Sequence, residues 1–114
     1  MKKDKSINNF MNKLAKIDLN KASLSELFAL KLEYIYLSMG ISQLDFSLIV
    51  NLNLSYFNDI IRAKKQITLK KIDQICSALR IDPIELLNFE LLYQMKETNT
   101  FIKYPYCSVN KYTI

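Results

Sequence analysis

The chain of 114 residues contains one glycine, two prolines, no histidine and no tryptophan. Sheet-rich folds turn often and build turns from glycine and proline, so their scarcity favours helices joined by short connections. Without histidine, and with Cys76 and Cys107 far apart rather than paired as CxxC, no metal site is expected. No carboxylate pair or activated nucleophile stands out, so neither catalysis nor a cofactor is expected. Charges interrupt every apolar run, which leaves nothing to span a bilayer. The opening MKKDKSINNF has lysines but no apolar stretch behind them, so no secretory leader is expected. These absences point to a cytoplasmic protein with no membrane partner and free thiols, Cys76 packed in a helix and Cys107 near the surface of the tail.

Half of the residues are hydrophobic, ample for a core, and the formal net charge is +5. The charge is unevenly placed. Arg62, Lys64, Lys65, Lys70 and Lys71 follow one another without an acid among them. A second group, Lys2, Lys3, Lys5, Lys13, Lys16 and Lys21, is set against only Asp4 and Asp18. Each cluster reads either as a solvated surface or as a contact for a polyanion.

Apolar spacing divides the chain into helices. Ile7, Phe10, Met11, Leu14 and Ile17 recur every three or four residues, predicting an amphipathic helix in the extension. Ser23 or Ser25 caps a first core helix with a broad apolar stripe (Leu27 to Met39), and the lone Gly40 suits a left-handed stop. Ser42 with Asp45 reads as a capping box for a short helix over about 43–50. Asn51 then tolerates a left-handed turn, Leu52 points inward, and Asn53 caps a third helix over about 54–62. Thr68 caps a fourth, with Leu69, Ile72, Ile75, Cys76 and Leu79 inward. Asp82-Pro83-Ile84-Glu85 starts a fifth, expected to run to about Gln94. Beyond Glu97 the text becomes rich in Tyr, Thr and Val, a strand-like composition broken by Pro105.

Two short helices separated by a tight turn and flanked by supports form the arrangement that places a recognition helix in the major groove. Gly40-Ile41-Ser42-Gln43, followed by Phe46, Leu52, Phe57, Ile60, Arg62, Lys64, Leu69, Ile72, Ile75, Ala78, Leu79, Ile81, Glu85 and Leu86, resembles the XRE-type helix-turn-helix family of phage repressors, Cro proteins and bacterial regulators. The family pattern lies over Leu32–Leu87 without a gap. From Ser55 onward, Ser55-Tyr56, Arg62, Ile67-Thr68-Leu69, Ala78-Leu79, Pro83 and Glu85-Leu86-Leu87 are also similar to the controller proteins of restriction–modification systems. The resemblance implies an all-α, five-helix repressor-like domain at 23–95, between a basic helical extension at 1–22 and an aromatic, possible strand-forming tail at 96–114.

There are departures from the family pattern. Where family members often hold an internal Arg–Glu pair, this chain has Tyr36 and Ile61. Removing one partner would strand a buried charge, whereas replacing both is compatible with an intact core, so Tyr36 and Ile61 are expected to meet. Asn51 and Ala63 stand where the family prefers glycine.

Carried over residue by residue, the resemblance implies that Gln43, Asn53, Leu54, Ser55, Asn58 and Asp59 face base edges of double-stranded DNA. Leu54 would meet a thymine methyl and Asp59 a cytosine amino group. Arg62, Lys64 and Lys65 would contact phosphate. No arginine lies on the base-facing surface, so modest sequence specificity is expected.

So small a module contacts few base pairs, and a homodimer on a pseudo-palindrome is expected. Its interface would use Ile84, Leu87, Phe89, Leu91 and Leu92. Phe101, Tyr104 and Tyr106 either extend that interface or fold back on the domain. The rival reading is a protein-interaction module, an antitoxin or adaptor, that keeps the fold and acts through its tail.

Overall fold

With a single glycine, the chain must reverse direction on other residues. The computed structural model describes residues 2–106, with side chains from Lys5 onward. Five described residues have positive φ: Gly40, Asn51, Ala63, Arg80 and Asn99. Each lies just beyond the end of a helix. The helices are α1 (Lys2–Lys16), α2 (Leu24–Met39), α3 (Gln43–Ile49), α4 (Leu54–Ile61), α5 (Leu69–Leu79), α6 (Pro83–Leu86) and α7 (Glu90–Thr98), and the first four of those positive-φ residues separate α2 through α6; the described residues hold no strand. None of these helices is long and apolar enough to cross a membrane.

Helix starts follow the sequence closely. The Ser23 hydroxyl accepts from the Glu26 amide while the Glu26 side chain answers the Ser23 amide, a complete capping box. Ser42, Asn53, Thr68 and Asp82 each accept from the first turn of their helices. Gly40 (φ 71°) closes α2 in the left-handed region, where its amide donates to Leu37.

α2 is apolar almost all round, burying residues from Phe28 to Met39, and such a helix must be central. α1 lies along it and also meets α7, while α4 packs against it as well. Phe10 and Leu14 of α1 are fully buried, so the basic extension completes the core. Lys96 of α7 donates to the carbonyls of Leu14 and Ala15, satisfying the end of α1, and the Tyr93 hydroxyl donates to Leu19.

Two expectations need correction. The fifth helix does not run through to Gln94. It ends at Leu86 and restarts at Glu90, because the buried Lys31 ammonium requires acceptors there. Lys31 donates to the carbonyls of Glu85 and Asn88 and to the Glu85 carboxylate. The Asn88 side chain then accepts from the Glu90 amide and begins α7. Burial pulls the Lys31 pKa below the ordinary lysine value, and the Glu85 carboxylate partly offsets the shift.

The described tail, up to Tyr106, also forms no strand. It runs as a strap over α2, with its backbone groups paired to side chains: the Tyr34 hydroxyl donates to the Ile102 carbonyl and the Tyr104 amide to the Ser38 hydroxyl (3.0 Å). Phe10, Tyr34, Phe101 and Tyr104 form an aromatic cluster with centroids 5.5–6.3 Å apart. Phe101 and Tyr104 therefore fold back on the domain. Cys107 and any strand in 107–114 lie outside the described residues. Cys76 is buried, which with the nearby Asp73 and Asp82 carboxylates pushes its thiol pKa up.

Candidate nucleic-acid interface

α3 and α4 present the site, and the three residues between them set its geometry. Val50 is buried, Asn51 takes the left-handed conformation (φ 57°), and Leu52 returns to the core. The Leu52 amide donates to Ser47 (2.8 Å) and the Asn51 amide to Leu48 (3.2 Å), so the turn is closed by its own backbone. The carbonyls of Val50 and Asn51 accept from the Gln74 side-chain amide at 2.9 and 2.7 Å. Gln74, on α5, thus braces the turn from the next helix. Sequence reading missed it; the available signal was a polar side chain directly before Ile75 and Cys76 in an otherwise apolar inner stripe.

Beneath the pair, Tyr36, Phe46 and Phe57 form a triangle of rings with centroids 5.3–6.1 Å apart. Tyr36 is part of the core and Ile61 packs against that core, although no contact between the two is seen. The ring contacts of Tyr36 are with Phe46 and Phe57, while Ile61 lines a cleft with Ile17, Ala29 and Leu30. Burial pushes the Tyr36 pKa up, moderated by the Gln43 side-chain amide, which donates to its hydroxyl at 3.1 Å. Gln43 is therefore held from the inside, at the start of α3.

On the outer face, the first two turns of α4 carry Leu54, Ser55, Asn58 and Asp59. Leu54 is 36% exposed and Ser55 is exposed, whereas Asn58 and Asp59 are half-buried. The Asn53 side-chain oxygen accepts from the amides of Ser55 and Tyr56, which leaves its NH2 group for an outside acceptor. Arg62, Lys64 and Lys65 are exposed beyond the end of α4. Ala63 (φ 57°) makes the left-handed turn between them that the family gives to glycine.

Two further residues join this surface. Asp59 forms an ion pair with Lys65 at 3.6 Å, so the acid is answered from within the chain. Tyr56 lies under two ammonium groups, Lys65 at 5.8 Å and Lys71 at 6.0 Å from its ring centroid. Tyr56 was not among the sequence-derived site residues.

The residues expected at a dimer interface divide. Ile84 is 80% and Leu87 39% exposed, but Phe89 and Leu91 are half-buried against the core and Leu92 is fully buried. The break before Glu90 turns α7 so that Leu92 and Met95 point inward, which removes Leu92 from any surface. Leu87 instead lines an apolar cleft of about 290 Å³ together with Leu24, Phe28, Ile67, Leu69 and Ile72. Leu24 and Leu69 on its rim are 64% and 79% exposed.

A family model described as the Cro/C1-type HTH (helix-turn-helix) DNA-binding domain matches residues 31–91. That span runs from Lys31 in α2 to the first turn of α7. It includes both helices and their turn and omits α1 and the tail. No curated protein and no solved structure matches the chain.

Proposed function

Because the chain belongs to the Cro/C1-type helix-turn-helix DNA-binding family, we propose that it regulates transcription as a homodimer. α4 would enter the major groove at each half of a pseudo-palindromic operator. The observation that supports this reading best is the placement of α4. Its first two turns offer short polar side chains and Leu54 outward, with Gln43 on one side and Arg62, Lys64 and Lys65 on the other. Such an order matches base contact flanked by phosphate contact. Ser55 can donate or accept at a base edge, Leu54 fits a thymine methyl, and Asp59 can accept from cytosine once Lys65 turns to phosphate.

The proposed dimer face combines the exposed Ile84 with Leu87, Leu24 and Leu69, the last three lining one apolar cleft. The narrower assignment, a controller of a restriction–modification system, rests on the resemblance from Ser55 onward. The rival reading of an antitoxin or adaptor working through its tail draws no support from Phe101 and Tyr104, whose rings are engaged inside the protein.

A mobility-shift titration with random-sequence duplex at low salt tests the reading directly. The protein is expected to shift the duplex, and Lys64→Glu with Lys65→Glu to weaken binding for every sequence and flatten its salt dependence. Unchanged binding by that double variant would overturn the interface proposed. Sedimentation of Ile84→Glu and Leu69→Glu, each expected to be monomeric at concentrations where the native chain is dimeric, tests the cleft face separately.

A further inference from the structure

We propose that Tyr56 is a positioning residue of the DNA interface, its ring gathering Lys65 and Lys71 into one phosphate clamp. The inference rests on the DNA-binding reading and deepens it.

The two lysines come from different elements, Lys65 from the connection after α4 and Lys71 from the first turn of α5. An ammonium on a flexible four-carbon stem is a mobile point charge that loses considerable rotamer freedom when it is fixed on an anion. Two such charges also repel one another. The negative face of an aromatic ring opposes both tendencies. Tyr56 is half-buried in the first turn of α4, on the helix that carries the base-facing residues, and both ammonium groups lie within 6.0 Å of its centroid. The ring thereby ties the phosphate-binding charges to the reading helix and sets their register against it.

Asp59 adds the second hold on Lys65, 3.6 Å away on the next turn of α4. An acid on a face that meets a polyanion is otherwise unfavourable. Paired with Lys65, it fixes one arm of the clamp in the free protein and is exposed to a base donor when that arm moves to phosphate. Of the basic run from Arg62 to Lys71, these two lysines are the ones held over Tyr56.

The test compares the native chain, Tyr56→Phe, Tyr56→Leu and Tyr56→Leu in a Lys65→Ala, Lys71→Ala background, all titrated against random-sequence duplex over a range of salt. Removing two exposed cation–π contacts is expected to weaken binding by roughly tenfold in Tyr56→Leu. The slope of log affinity against log salt should become shallower by about one. Tyr56→Phe keeps the ring and should bind as the native chain does. In the double-lysine background Tyr56→Leu should cause no further loss. Native-like affinity and slope in Tyr56→Leu overturns the proposal. So does equal loss in Tyr56→Phe, which would make the hydroxyl itself the contact, and so does an undiminished loss in the lysine background.

A variant-free measurement covers a Tyr56→Leu chain that fails to fold. Ring-current upfield shifts of the Lys65 and Lys71 ε-methylene protons are expected in the native protein, and their absence refutes the clamp. Should the native chain fail to shift duplex at all, the DNA-binding reading falls and takes this inference with it. Native binding with an unaffected Tyr56→Leu removes the clamp alone.

Discussion

On the side of α2 that carries α1, α7 and the tail, rings meet rings and a buried lysine has several acceptors, including two carbonyls and a carboxylate. On the side that carries α3, α4 and α5, the inner rings are just as well packed, but the outer surface is left open. Leu44, Leu48 and Leu54 are 51%, 68% and 36% exposed, and Arg62 and Lys64 project beyond α4. The first side stabilises and the second presents. The family match covers the presenting side together with Lys31, Tyr34 and Glu85 of the other side, and it stops short of α1 and the strap.

The largest effect is expected where that division is sharpest. Lys31 is 1% exposed, and its ammonium joins α2 to the junction of α6 and α7, with the Tyr104 ring 5.1 Å away and the Tyr104 hydroxyl donating to the same Glu85 carboxylate at 2.8 Å. Lys31→Ala leaves two carbonyls without that donor and the carboxylate without its counter-charge, and should destabilise the protein by about 3 kcal/mol, the lower end for breaking a buried pair because Glu85 keeps some solvent and the Tyr104 hydroxyl. Lys31→Met with Glu85→Gln removes both charges and keeps most of the volume, so most of the loss should be recovered in urea unfolding. If the single and double variants are equally unstable, the network is packing rather than charge. Binding to duplex by the folded fraction should be unchanged in both, since neither residue lies on the presenting side.

Gln74 tests the opposite case, a residue that serves the presenting side from beneath. Gln74→Leu deprives the Val50 and Asn51 carbonyls of a shared donor, a loss of about 1–2 kcal/mol for partly solvated acceptors. The turn between α3 and α4 loses its brace, so affinity for duplex should fall by more than the stability change explains. Equal duplex affinity for Gln74→Leu and the native chain, measured where both are fully folded, would show that the turn holds itself through its own backbone hydrogen bonds.

What the sequence disclosed follows from how local each signal is. Capping residues act within one turn, so Ser42, Asn53, Thr68 and Asp82 announced four helix starts, and Gly40 and Asn51 announced two stops. The left-handed end at Arg80 carries no such residue preference, whereas Asn99 offered the same signal as Asn51 and was passed over. The break after Leu86 was invisible because its cause, the Lys31 ammonium, lies 54 positions away in sequence. A lysine inside Leu30-Lys31-Leu32 was the visible clue, yet only the fold reveals its acceptors. The part of the tail up to Tyr106 is not the expected strand for a similar reason: Thr, Ile and Tyr suit a strand, but a strand needs a partner edge, and α2 offered rings and hydroxyls instead. At the candidate site, Leu54, Ser55 and Asp59 followed from register alone. The grouping of Tyr56 with Lys65 and Lys71 required α5 to be placed beside α4.

Ala63 gives the smallest predicted effect and separates the two sides most cleanly. Its Cβ sits at φ 57°, where an L-residue other than glycine pays about 1 kcal/mol for contact with its own carbonyl. Ala63→Gly relieves that contact but also frees the unfolded chain, which costs about 0.4–1 kcal/mol, so the net gain is at most about 0.6 kcal/mol. A rise of that size in urea unfolding is therefore expected. Ala63 also lies between Arg62 and Lys64, so the extra backbone freedom loosens two phosphate-facing side chains. Affinity for duplex should stay level or fall slightly while stability rises. A variant that gained in both would mean that the left-handed turn strains the interface as well as the fold, and that the presenting side is held less favourably than its hydrogen bonds indicate.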